Sequence, residues 1–133
     1  MYFELSEEHL MIQQAARDFA NTELKPGVIE RDELQKFPHE QIKKLGELGF
    51  LGMMVDPKYN GSGMDTISYV LAMEELSKID ASASVVVSVN NSLVCFGLEK
   101  YGSEFSTNWH NTHHGIYNYM GSNNRGFSRC NNL

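Results

Sequence analysis

Cysteine is nearly missing from this sequence, with Cys95 and Cys130 the whole supply. Two widely separated thiols offer neither a disulfide framework nor a zinc-binding spacing, so both are read as free. Positive charge is also short, 11 Lys and Arg against 17 Asp and Glu, for a net charge of −6. That balance leaves no basic patch to neutralise phosphates and excludes nucleic acid as a partner. No apolar run reaches membrane-spanning length, so no membrane partner is expected. The opening residues Met1-Tyr2-Phe3-Glu4-Leu5-Ser6-Glu7-Glu8 carry neither the basic nor the apolar region of a secretory leader, and the cytoplasm is the default location. Acidic residues are absent after Glu104: residues 105–133 have only Arg125 and Arg129 as formal charges, so the chain changes character there. What remains is 133 residues of ordinary composition, 41% apolar and 21% charged, with room for one domain and a moderate core.

The same scarcity of charge marks the central stretch. From Ala81 to Leu98 no residue is charged, Asp80 can cap a helix start, Lys100 suits a helix end, and Gly102 suits a left-handed position beyond it. These signals predict a helix over about 81–100. Being apolar or small all round, it is expected to be buried among other helices. Val85-Val86-Val87 suits a strand, but the length of the stretch favours the helix. Ser84, Ser88, Asn91 and Ser92 recur at i, i+4, i+7 and i+8, with Asn90 beside them, and line one wall. Two readings stand for that wall: its groups bond backbone carbonyls and neighbouring helices, or it borders a ligand cavity.

The remaining elements are also helical. Ser6 before Glu7 and Glu8 opens a first helix whose stripe runs through Leu10, Ile12, Ala15, Ala16, Phe19, Ala20 and Leu24 and closes before Pro26. A short acidic helix or turn follows through Val28, Ile29 and Leu34. Phe37-Pro38 then opens a helix over 39–48 with Ile42, Leu45 and Leu48 as its buried edge and Gly49 as its stop. Phe50-Leu51-Gly52-Met53-Met54-Val55 reads as a buried extended connection ahead of Asp56-Pro57. Tyr59-Asn60-Gly61-Ser62-Gly63-Met64 is a glycine-rich loop; without a following lysine it reads as a plain connection, not a phosphate cradle. Asp65 caps a helix with Ile67, Val70, Leu71, Ala72, Met73 and Leu76 inward and Glu74 and Glu75 outward. The fold class is all-α, a bundle of four to five helices around a buried central one, with an irregular C-terminal tail.

Seven pieces in this order and spacing resemble the N-terminal helical domain of the acyl-CoA dehydrogenases, closest to the short-chain or butyryl-type members. They are Leu5-Ser6-Glu7-Glu8-His9, Arg17-Asp18-Phe19-Ala20, Phe37-Pro38, Lys44-Leu45-Gly46-Glu47-Leu48-Gly49-Phe50-Leu51-Gly52, Tyr59-Asn60-Gly61-Ser62-Gly63, Ala72-Met73-Glu74-Glu75-Leu76-Ser77 and Ser88-Val89-Asn90-Asn91-Ser92-Leu93. The resemblance places this domain at 1–104. It implies a homo-oligomeric flavoenzyme that binds FAD, oxidises the α,β-bond of an acyl-CoA and passes electrons to an electron-transfer flavoprotein. In such enzymes a glutamate takes the α-proton while the β-hydride goes to the flavin. The middle β-domain grips the flavin and the C-terminal helical domain usually supplies the glutamate. To the N-terminal domain the resemblance assigns one wall of the acyl pocket, here Val89, Asn90 and Leu93. It implies no catalytic and no cofactor-binding residue in this stretch.

Residues 105–133 do not match the family. Seven asparagines, three histidines and scattered aromatics without period or caps fit a disordered segment. An out-of-frame translation accounts for it: codons permitted for Gly121-Ser122-Asn123-Asn124-Arg125, read one nucleotide later, can spell Ala-Leu-Thr-Thr-Glu, near a family flavin-contact motif. A genuine short protein with its own terminal segment is the alternative. His110, His113 and His114, with Cys130 downstream, could share a helical face and take up zinc or nickel adventitiously, but no physiological metal site is expected. His9 and His39 read as exposed first-turn residues. The expectation is therefore an acyl-CoA dehydrogenase N-terminal domain, truncated, inactive and free of bound flavin. The competing class is a non-catalytic helical binding or interaction module, with self-association or aggregation through uncovered surfaces.

Overall fold

Three of the helices begin where a short polar side chain takes up free N–H groups of the first turn. In the computed structural model, which describes residues 4–104 and 106, Ser6 opens α1 (Glu7–Phe19) by accepting from the His9 backbone at 3.2 Å. Asp65 opens α4 (Thr66–Ser77) and Asp80 opens α5 (Ala81–Val89) in the same way. Between them lie α2 (Val28–Glu33) and α3 (His39–Glu47), and α6 (Phe96–Tyr101) follows. No strand forms among the described residues, and the all-α bundle expected from the sequence is the architecture found.

The α1 stripe buries Ala16 and Phe19 and runs on into a π turn, Ala20–Leu24, that buries Ala20 and Leu24 before Pro26 ends the helix. Gly27, at φ 75°, turns the chain into α2. There the Arg31 guanidinium donates to the Leu24 and Pro26 carbonyls and pairs with Asp80 at 3.1 Å. One side chain thus ties the exit of α1 to the start of α5. α1 lies along α4, α4 along α5, and the core runs between them through Ala16, Leu24, Ile42, Leu45, Leu76 and Val87.

Four expectations need correction. Residues 50–55 are not extended: Phe50–Gly52 is a 3₁₀ turn. Gly52 N–H bonds Gly49 O and Val55 N–H bonds Gly52 O, which satisfies buried backbone locally where no strand partner exists. Leu48 is 60% exposed because it sits at the end of α3 on the lip of a cleft. On α4, Ile67 and Val70 face outward while Glu75 is only 4% exposed, on the side of Ser68 and Ala72. That burial is tolerable because Glu75 is saturated by charge-assisted bonds. Arg17 donates to it twice, at 3.0 and 2.9 Å, Lys78 at 3.0 Å and Gln13 at 3.2 Å. Gly102 is extended, not left-handed; glycine fits because a Cβ there would stand 2.5 Å from the Leu98 carbonyl oxygen.

Candidate functional site

The central helix is continuous over Ala81–Tyr101, long and apolar enough to cross a membrane by length and composition alone. Its packing is that of a core helix with one open side. The inward face carries Ala83, Ser84, Val87, Asn90, Asn91 and Cys95. Their spacing widens from three residues to four across a π segment, Asn90–Cys95. A π turn holds more residues per turn than an α turn, so Val87, Asn91 and Cys95 stay on one face.

Two adjacent asparagines use that face to hold the 50–53 turn. Asn91 donates to the Phe50 carbonyl at 2.8 Å and to the Val87 carbonyl at 3.0 Å, and it accepts from Met53 N–H at 2.8 Å. Asn90 donates to the Leu51 carbonyl, and its own carbonyl oxygen is buried without a partner among the described residues. Of the remaining polar wall, Ser84 meets Ser77 at 2.7 Å, Ser88 accepts from the Tyr69 hydroxyl at 3.0 Å, and Ser92 donates back to the Ser88 carbonyl at 2.7 Å. The first reading of that wall describes these groups: their bonds go to backbone and neighbouring helices.

The opposite side is open and mostly apolar, with Ser92 an exposed polar residue among its side chains. Val85, Leu93 and Phe96 are 59%, 69% and 53% exposed, and Val89 is half-buried between them. Of the three residues assigned to the acyl wall, Val89 and Leu93, one turn apart, share this outer stripe. Asn90 turns away from it into the domain. A helix that is apolar all round gives no sequence signal for which side is covered, so its expected burial holds for one face and fails for the other.

A second concavity lies between α1 and α3, with a volume of about 530 Å³. Ile12, Phe19, Phe50, Met53 and Met64 form its floor, and Asp18, Glu23, Glu47 and Lys44 its rim. Lys44 is paired with Glu23 at 2.6 Å, which leaves the rim with an acidic excess. The sequence signalled each side chain but not their convergence.

The glycine loop is not a phosphate cradle. In the glycine loop the Ser62, Gly63 and Met64 N–H groups are bonded to the Gly52, Val55 and Met53 carbonyls, and a Cβ on Gly61 would overlap Val55. These glycines serve close backbone packing, not phosphate. Cys95 is no activated nucleophile, since burial, reinforced by Glu99, pushes its thiol up to about 11. No cluster of three potential metal ligands occurs among the described residues, and His110, His113, His114 and Cys130 lie outside them. His39 is exposed, edge-on to Phe37. His9 is not the exposed residue expected: its side chain is 15% exposed and bonds Asp65 at 2.9 Å.

Comparison with known proteins agrees with this geometry. The family described as acyl-CoA dehydrogenase, N-terminal domain, matches residues 6–106. The short-chain specific acyl-CoA dehydrogenase of mouse mitochondria is 46% identical over 100 residues, covering 75% of this chain and 24% of that protein. Among solved structures, butyryl-CoA dehydrogenase from Megasphaera elsdenii superposes with a TM-score of 0.79 at 33% identity, over 86% of this chain and 30% of that one. A chain from a structure described as the electron transferring flavoprotein of Acidaminococcus fermentans superposes with a TM-score of 0.80 at 38% identity, over 84% and 29%. This chain therefore spans about a quarter of the length of the curated relatives it matches. With its helix order, its seven motifs and its fold all in agreement, the chain belongs to the acyl-CoA dehydrogenases, through their N-terminal domain and on the short-chain side of the family.

Proposed function

We propose that this chain supplies the N-terminal domain of a short-chain acyl-CoA dehydrogenation system and contributes one wall of an acyl site without performing the oxidation itself. The observation that carries the reading is the outer stripe of the central helix: Val85, Val89, Leu93 and Phe96 stand open to one side of a helix whose other side is bonded to the core. A short acyl tail needs mostly apolar lining with few polar groups, and this stripe offers it. Val89 and Leu93 are its central contacts, and Asn90 supports the wall from behind by holding Leu51.

Enzymes of this family are FAD-dependent. The flavin accepts the β-hydride when it is bound, and the resemblance places its grip in the middle β-domain and the glutamate base in the C-terminal helical domain. We therefore assign this chain no flavin of its own and no catalytic base. An inactive isolated chain belongs to the same reading. The cleft between α1 and α3 fits a protein partner with an apolar anchor flanked by basic side chains, since its floor is apolar and its rim is acidic. An electron-transfer flavoprotein is the partner this reading proposes there.

The test is a chimera in which residues 6–104 replace the matching domain of the mouse relative. The expected result is FAD-dependent oxidation of butyryl-CoA by the chimera and none by the purified chain with added FAD. A chimera that binds FAD but leaves butyryl-CoA unoxidised contradicts the domain assignment, and turnover by the isolated chain contradicts its inactivity.

A further inference from the structure

We propose that His9 is a pH-operated coupler of the α1 and α4 helix starts, which holds the chain at Ser6 while neutral and releases that hold when protonated, with its bond to Asp65 persisting. The imidazole sits between two caps. Its Nδ1 lies 3.2 Å from the Ser6 backbone nitrogen, and the Ser6 hydroxyl returns a bond to His9 N–H at 3.2 Å. Its Nε2 lies 2.9 Å from Asp65 Oδ2, while Asp65 Oδ1 accepts from Ser68 N–H at 2.8 Å and so caps α4.

A backbone N–H can only donate, so Nδ1 must present a lone pair and the proton must sit on Nε2, facing the carboxylate. One neutral tautomer satisfies both helix starts at once. Protonation adds a hydrogen at Nδ1 and sets donor against donor at Ser6. The Asp65 bond meanwhile becomes an ion pair, and the Asp65 carboxyl is already held at about 2 by Ser68 N–H and by His9. The charged neighbours are Asp65 on α4 and Glu7 and Glu8 in the same first turn, at the positive end of α1. Protonation therefore moves the hold from the chain before α1 to the contact between α1 and α4.

Long-range proton–nitrogen correlation on the full nitrogen-15-labelled chain tests this, with the His9 signals assigned by their loss in His9→Gln. At a pH of about 7.5 the ring is expected to show the Nε2–H tautomer. On acidification to about 5.5 the Ser6 amide should lose about five-fold of its exchange protection, the factor one hydrogen bond of ordinary net strength supplies. The Ser68 amide should keep its protection. In His9→Gln the Ser6 protection should stay constant with pH, because glutamine at the third helical position can close the same cap without titrating. An Nδ1–H tautomer at the higher pH, a Ser6 amide indifferent to pH in the native chain, or the same pH dependence in His9→Gln overturns the proposal. The second outcome is read on the native chain alone and needs no folded variant.

Discussion

The two faces of the central helix invert the usual arrangement. The inward face carries Asn90 and Asn91, 1% and 2% exposed, whereas the outward face carries Val85, Leu93 and Phe96. Polar groups can be the buried ones when most bonds they lose to water are replaced: Asn91 makes three, and Asn90 holds Leu51 with only its own carbonyl oxygen left over. Apolar groups can be the open ones when their surface is kept for something else to cover, which in the proposed function is an acyl chain. Burial thus separates what holds this helix from what the helix offers.

The strongest way to break that comparison is Asn91→Leu. It strands the Met53 N–H and the Phe50 carbonyl in the interior, so we expect a loss of about 3 kcal/mol in urea unfolding. A cost below about 1 kcal/mol would show that the inward face is not what holds the helix. Next comes Arg17→Met, which takes the main partner from buried Glu75. Because Arg17 is half in solvent, the loss should fall between those of a surface and a fully buried pair and below that of Asn91→Leu.

Acid sharpens the same point. Arg17, then Lys78, holds the Glu75 carboxyl at about 2, below its ordinary 4.5, and Asp65 is likewise held at about 2. A depressed carboxyl contributes stability that is complete above its ordinary value and is lost as pH falls through the folded one. Unfolding free energy should therefore be flat between pH about 5 and about 8, below the ordinary thiol range, and decline from about 4.5 toward 2. In Arg17→Met the decline should be smaller and complete at higher pH, because less of the Glu75 depression remains to be lost. The smallest effect is expected on the outer face, where Leu93→Ser should change stability by less than about 0.5 kcal/mol. A larger loss would mean that the stripe is packed against the domain in solution.

Much of this was legible in the residues. Ser6, Asp65 and Asp80 marked helix starts, Pro26 and Gly49 marked ends, and the order of motifs pointed to the family. The faces were less legible. Glu75 reads as outward by charge, and its burial depends on Arg17, far away in sequence. Leu93 reads as buried by hydropathy, and its exposure depends on where the other helices stop. Asn90 and Leu93 share a sequence motif, yet the packing sends one inward and the other outward. His9 reads as a first-turn histidine until Asp65 is seen beside it. Periodicity fixes which residues share a face; only tertiary packing fixes what that face meets.

The most direct test of the account is the acyl-chain preference of the chimera with and without Leu93→Ala. If the outer stripe is the acyl wall, removing the side chain opens the site, and the ratio of kcat/KM for hexanoyl-CoA over butyryl-CoA should rise about tenfold, the lower end of what a methylene-sized change in an apolar pocket yields. An unchanged ratio in a folded, flavin-loaded and active chimera would contradict the assignment of the acyl wall to this face.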